Sequence, residues 1–280
     1  MQNSDRPNSH IIQNKYRIES ILTKGSFGII FKGSQIKTQK KVAIKMEAGH
    51  IQSLRHETRV IQFLYKKGVR KIPDILWYGT FKEKPCLVMR FYDHSLAEIV
   101  GKIHQSPPTE PEGQNRLYMI LYKILQQILD IMRHVHICRV VHRDIKPQNF
   151  MFHGGEIYLI DFGMAAFLQG QTGMGTGTTL VGTPKFASIH IHRGQPYRPI
   201  DDIISIGYMI LWLELGGNSP WEPESFSTDI DTLNIASPFN QQLLKNKENI
   251  ATFCRDPFIA RFICDHSQKY GAVINYDFVT

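Results

Sequence analysis

Four short stretches carry residues whose types and order suit phosphate chemistry. The densest is Val141-His142-Arg143-Asp144-Ile145-Lys146-Pro147-Gln148-Asn149-Phe150. Asp144 could accept or orient the proton of an attacking hydroxyl. Lys146 could neutralise charge on a transferring phosphoryl group, and Asn149 could offer a neutral amide oxygen to a hard cation. Asp161-Phe162-Gly163 comes twelve residues after Asn149 and sets a hard oxygen ligand at the end of an apolar run. Upstream, Lys24-Gly25-Ser26-Phe27-Gly28 holds glycines that let backbone N–H groups approach phosphate oxygens closely. Val42-Ala43-Ile44-Lys45 ends an apolar strand in a lysine able to pair with nucleotide phosphates. Glu57 is spaced to hold that ammonium; Glu47, the rival, shares a strand with Lys45 and points elsewhere. Each stretch also has a plainer reading: a hairpin turn, a surface lysine, a polar loop capping a helix. Their order and spacing together favour the chemistry.

Positioning these residues needs strands first and helices later. The run Tyr16 to Phe31 reads strand, glycine turn, strand, and Lys41 to Glu47 reads as another strand. A helix is expected over about residues 51–66, then two strands in ILWYGTF and PCLVMRF. Residues 104–114 hold three prolines and a glycine and read as a loop. Leu117, Ile120, Leu121, Ile124, Leu125, Ile128, Leu129 and Met132 then repeat at steps of three and four, an amphipathic helix. Apolar runs either side of His153-Gly154-Gly155 predict a hairpin. Residues 168–183 are rich in Gly and Thr and read as a mobile loop, and Asp202 to Gly216 as a buried helix.

The 280 residues exceed the size at which single cores split, so two lobes with a cleft between them are expected. An apolar share of 42% and a charged share of 21% suit a globular chain and exclude global disorder. The net charge of +8 admits acidic partners such as nucleotide phosphates, but no block of like charge suggests a basic tail. Cys86, Cys138, Cys254 and Cys264 lie far apart and read as small buried hydrophobes in a reducing compartment. No secretory signal or membrane-length apolar run is present, from which an intracellular protein, cytoplasmic or nuclear, is expected.

These motifs resemble the eukaryotic protein kinases over nearly the whole chain, and more narrowly the casein kinase 1 family with its tau-tubulin and vaccinia-related relatives. The narrower likeness rests on Gly-Ser-Phe-Gly at 25–28, HRDIKPQNF at 142–150 and Ala187-Ser188-Ile189 in place of A-P-E. Asp201-Asp202, Gly207-Tyr208-Met209 and Ser219-Pro220-Trp221 add to it. The resemblance implies an α+β, bilobal kinase fold: a tail at 1–14, an antiparallel sheet lobe with one main helix at 15–92, and a larger helical lobe at 93–280. It implies a serine/threonine protein kinase using ATP and Mg²⁺ on Ser and Thr hydroxyls of proteins, as a monomer with no membrane or specific nucleic-acid partner. Thr23, Gly25, Ser26 and Gly28 would then line the phosphates, with Ile30 and Ala43 over the adenine. Met89 would be the gatekeeper, with Arg90 and Tyr92 bonding the adenine edge through their backbones. Asn149 and Asp161 would hold the metal, and Asp202 would brace the catalytic loop. Lys185 falls where the family binds an anion beside the substrate.

Three departures stand out. Thr23 replaces the usual first glycine of the phosphate loop, Arg90 replaces the hinge acid, and the chain beyond Trp221 is acidic where the family tends to be basic. The last counts against carrying over the family's preference for already phosphorylated or acidic substrates. The sequence ends soon after Tyr276, from which shortened final helices and no long regulatory tail are expected. The competing reading is a nucleotide-binding pseudokinase or signalling scaffold, against which Lys45, Asp144, Asn149 and Asp161 all stand.

Overall fold

The computed structural model describes residues 10–25, 28–47, 53–104, 111–168, 179–223 and 233–277. They fall into two compact units: Met1–Gly68 with Ile72–Asp93 and Asp161–Gly163, and Val69–Lys71 with His94–Ile160 and Met164–Thr280.

The first unit is one antiparallel sheet and one helix. Strands β1 (Ile11–Ile12), β2 (Tyr16–Gly25), β3 (Gly28–Gln35), β4 (Lys41–Glu47), β5 (Ile75–Phe81) and β6 (Lys84–Arg90) lie in the order β1-β2-β3-β4-β6-β5. Alternation sorts their side chains. Val42, Ile44, Cys86 and Val88 point to one face, where they bury against Ile12 and Tyr16 with Phe31 and Met46 alongside. Each such side chain stabilises the unit by about 1.5–3 kcal/mol. Helix α1 (Ser53–Lys66) buries Leu54, Val60, Ile61 and Leu64 at helical spacing. Its N-terminal N–H groups would otherwise lack partners. The Glu47 carboxylate accepts from the N–H groups of Ser53 at 2.5 Å and Leu54 at 3.3 Å. Glu47 therefore does point elsewhere than Lys45, and its task is to cap α1.

Part of the stretch expected as a tail at 1–14 is a strand. Ile11 and Ile12 pair with Arg17 and Tyr16, and Ile12 is fully buried. A two-residue apolar pair was too short to stand out from its polar flanks.

The second unit carries the remaining helices and small sheets. Strand β7 (His94–Ser95) leads into α2 (Leu96–His104), followed by the long helix α3 (Pro111–Ile137) and β8 (Val140–Val141). Strands β9 (Phe150–His153) and β10 (Glu156–Leu159) form the expected hairpin, with positive φ at Gly154 and Gly155. Then come β11 (Ala166–Phe167), paired with β8, and helices α4 (Ile189–His192), α5 (Pro199–Glu214), α6 (Pro238–Glu248) and α7 (Pro257–Ser267). Helix α5 is buried on nearly every side, as its continuous apolar run requires.

Several boundaries correct the sequence reading. The loop expected at 104–114 does not extend to its end: α3 starts at Pro111 and α2 includes His104. A proline at the start of a helix gives up only an N–H that has no helical acceptor, so proline content alone did not mark a loop. Helix α5 begins three residues earlier than expected, again on a proline, with the Asp201 carboxylate accepting from the Arg198 N–H at 2.7 Å. Of the expected mobile loop, residues 169–178 lie outside the described residues, while Leu180 is buried and its N–H donates to Leu233 O. Only Cys86 of the four free cysteines is buried; the others are half-buried. Burial pushes the Cys86 thiol up to about 12, and burial with nearby acidic groups does the same for Cys254.

Candidate active site

In the first unit, pairing across β3, β4 and β6 decides which residues share a face. Ile30 lies opposite Lys45, Ala43 opposite both Lys32 and Met89, and Lys45 opposite Leu87. Directly opposed residues project to the same side. Ile30, Ala43, Lys45 and Met89 therefore lie on the face away from the Val42–Ile44 core, and Ile30, Ala43 and Met89 are half-buried there. Lys45 is buried and donates to Glu57 Oε2 at 2.8 Å and to Asp161 Oδ1 at 2.9 Å.

This triad is electrostatically tense. Burial would lower the Lys45 ammonium, but the Glu57 and Asp161 carboxylates outweigh it and hold the lysine above its ordinary range. Burial pushes the Glu57 carboxyl up to about 7 against the pull of Lys45, with Asp161 repelling it further. Asp161 sits at φ +62°, a left-handed backbone that a non-glycine residue adopts at some cost. The unit thus holds the Lys45 cation of β4 between a carboxylate of α1 and that of Asp161.

The other expected residues of this unit are more dispersed. Thr23 and Gly25 are exposed at the end of β2, and Ser26 lies outside the described residues. Gly28 has a reason of its own to be glycine. At its φ of +143° a Cβ would lie 2.1 Å from the Met46 carbonyl oxygen. Gly25 meets no such obstacle. The Arg90 N–H is taken by Asp74 O, and its exposed guanidinium pairs with the Asp74 carboxylate at 3.2 Å. Tyr92 is buried.

In the second unit, Asp144 lies on the loop between β8 and β9. Its Oδ2 accepts from Lys146 Nζ at 2.7 Å and from the Asn149 amide at 3.3 Å; Oδ1 accepts from Thr183 Oγ1 at 2.7 Å. The Asn149 amide nitrogen also donates to the Asp144 carbonyl at 2.8 Å, which leaves the amide oxygen for other partners. His142 Nε2 lies 3.1 Å from Ile160 O, and its Nδ1 accepts from the Asp144 N–H at 3.3 Å.

The loop is anchored from beneath. Asp202 in α5 is fully buried and accepts from the backbone N–H groups of His142 at 2.8 Å and Arg143 at 3.0 Å. His136 Nε2 at 3.0 Å and Tyr197 Oη at 2.8 Å complete its shell. Burial would raise the Asp202 carboxyl, but these donors hold it below the usual carboxylate value. Arg143 takes φ +67°, and Gly182 packs on its carbonyl so closely that a Cβ would lie 2.2 Å away. The backbone brace by Asp202 is the one the resemblance implied.

The sequence matches the protein kinase domain family over residues 16–270. The chain belongs to the protein kinase family. Its sheet-rich and helical units are those of the kinase fold, and the family's reaction moves a phosphoryl group from ATP to a protein. Within this kinase, sequence reasoning missed Thr183, whose hydroxyl takes one oxygen of Asp144, and Glu47 as a cap. The only signal for Thr183 was its place in Gly182-Thr183-Pro184, a turn sequence. Lys185, which falls where the family binds an anion, pairs with Glu222 at 2.7 Å.

Asn149 and Asp161 each carry an oxygen of the kind a hard cation takes. Among the described residues no group of three or more His, Cys, Asp or Glu could hold a metal alone. Mg²⁺ asks for few protein ligands, taking its other oxygens from phosphate and water. Among the described residues, no helix is long and apolar enough to cross a membrane.

Proposed function

We propose that this protein kinase is a serine/threonine kinase of the casein kinase 1 type. The observation that carries the catalytic part is the Asp144 carboxylate, held by Lys146, Thr183 and Asn149 on a loop anchored to Asp202. A carboxylate so oriented suits alignment of an acceptor hydroxyl and acceptance of its proton. Lys146, bonded to that carboxylate, suits charge neutralisation on the moving phosphoryl group, and its place two residues after Asp144 supports Ser and Thr acceptors by the resemblance. Lys45, fixed by Glu57, is assigned to the nucleotide phosphates. Thr23, Gly25, Ser26 and Gly28 are assigned to the phosphate loop, and Ile30, Ala43, Met89, Arg90 and Tyr92 to the adenine. Asp161 and Asn149 would hold Mg²⁺, which when bound neutralises phosphate charge. Lobe limits at 15–92 and 93–280 belong to the same reading.

The test is transfer from γ-labelled ATP and Mg²⁺ to a peptide library with Ser, Thr or Tyr as the sole acceptor. Label on Ser and Thr peptides is expected. Label on Tyr alone would refute the Ser/Thr assignment, and nucleotide binding without transfer would establish the scaffold reading instead.

A further inference from the structure

Lys247, on α6, is among the largest fully buried side chains of the described residues, and no motif drew attention to it. Its Nζ lies 2.8 Å from Pro184 O, 2.6 Å from Ala187 O and 3.0 Å from His192 Nε2, above the Tyr208 ring at 4.7 Å. No carboxylate among these partners compensates a charge. Glu222, which favours the protonated form from a distance, is itself paired with Lys185. Burial lowers the Lys247 ammonium well below its ordinary value. A buried amine without a counter-ion is costly, so what it satisfies identifies its task.

It satisfies two carbonyls of one tight turn. The N–H groups of Phe186 and Ala187 fold back to Thr183 O at 3.0 and 3.1 Å, which turns the carbonyls of Pro184 and Ala187 inward. An apolar residue at 247 would leave both carbonyls buried without that donor. At the near end of the turn stands Thr183, bonded to Asp144. At the far end stands Ser188, which bonds Asp201 Oδ1 at 2.5 Å and caps α4.

We propose that Lys247 is a positioning residue for phosphoryl transfer: its buried amine fixes the backbone of residues 184–187, and thereby holds the Thr183 hydroxyl on Asp144. The inference rests on the kinase reading above. It places the determinant of one catalytic hydrogen bond on a helix more than sixty residues further along the chain.

Lys247→Met tests it, since the thioether fills similar volume and donates nothing. In the full chain, kcat on the best Ser or Thr peptide should fall at least about tenfold while the KM for ATP changes less than about twofold. The melting temperature should change little, because relief of the buried amine's desolvation opposes the loss of a donor to the two carbonyls. Lys247→Gln, with one amide donor, should recover part of the rate. Unchanged kcat, or kcat falling only in step with a lowered melting temperature, would overturn the proposal. If Lys247→Met does not fold, hydrogen exchange in Lys247→Gln decides. Faster exchange at Phe186 and Ala187 with α5 unaltered supports the strut, and unaltered exchange there removes it. Wild-type protein that transfers no phosphate sinks the functional reading and this inference together; active wild type with an equally active Lys247→Met sinks this inference alone.

Discussion

The Lys45 cluster of the sheet-rich unit and the Asp144 loop of the helical unit are held by opposite physics. In the sheet-rich unit Lys45 is fixed by charge: two carboxylates within 2.9 Å, one of them fully buried. In the helical unit the Asp144 loop is fixed by hydrogen-bond donors converging on Asp202, a carboxylate whose shell is two backbone N–H groups, a phenol and an imidazole. A pair of buried charges is held by mutual attraction that only partly offsets desolvation. A carboxylate saturated by fixed donors gains from each of them. The first arrangement is easy to loosen by protonation, while the second is hard to loosen except by removing the acceptor.

The largest expected effect breaks the second arrangement. Asp202→Ala leaves four buried donors facing nothing and should cost about 3–5 kcal/mol of stability, read from denaturant midpoints; a loss under 1 kcal/mol would remove Asp202 as the anchor. Next comes Asp144→Asn, which keeps the loop but removes the carboxylate assigned as base. Turnover should fall about a hundredfold or more with melting temperature nearly unchanged, and near-normal turnover would refute the assigned role.

Glu57→Gln sharpens the comparison through pH. A carboxyl pushed up to about 7 holds its proton more firmly in the folded state, so its contribution favours folding at acid pH and is lost as pH rises from 4.5 to 7. Asp202, held below its usual value, contributes stability that is present above pH 3.8 and lost on further acidification. Melting temperature against pH should therefore flatten between 4.5 and 7 in Glu57→Gln but keep its acid limb. An unaltered slope would show that Glu57 is ionised throughout. Its kcat/KM should also fall about tenfold or more, the scale on which positioning of a reactive group is lost. The smallest effect is a control: Arg193→Ala breaks the half-exposed pair with Glu248 and should cost under about 1 kcal/mol with activity intact.

What could be read from the chain follows from which interactions are local. Strand β4 was legible because the β-branched Val42 and Ile44 stand at alternate positions and the run ends in Lys45. The loop carrying Asp144 was legible because its polar residues are contiguous. Alternation alone also determined that Ile30, Ala43 and Lys45 share a face once the register was known. The N-terminus of α3 was misread because proline discourages helix interiors yet suits helix starts, and nothing in residues 104–114 separates those uses. Thr183 and Lys247 were illegible for a different reason. Each is defined by a partner 39 or about 60 positions away, and neither sits in a periodic pattern. Glu47 differs from both: its partners stand only six and seven positions away, but its capping role depends on where α1 begins.

One consequence concerns reagents. Thiols attack electrophiles and peroxides only as thiolates. With Cys86 and Cys254 raised to about 12 by their surroundings, the reactive fraction at neutral pH is on the order of one in 10⁵. Alkylating labels and mild oxidants should pass these two positions by, so covalent tagging of this enzyme is better directed to a cysteine introduced elsewhere.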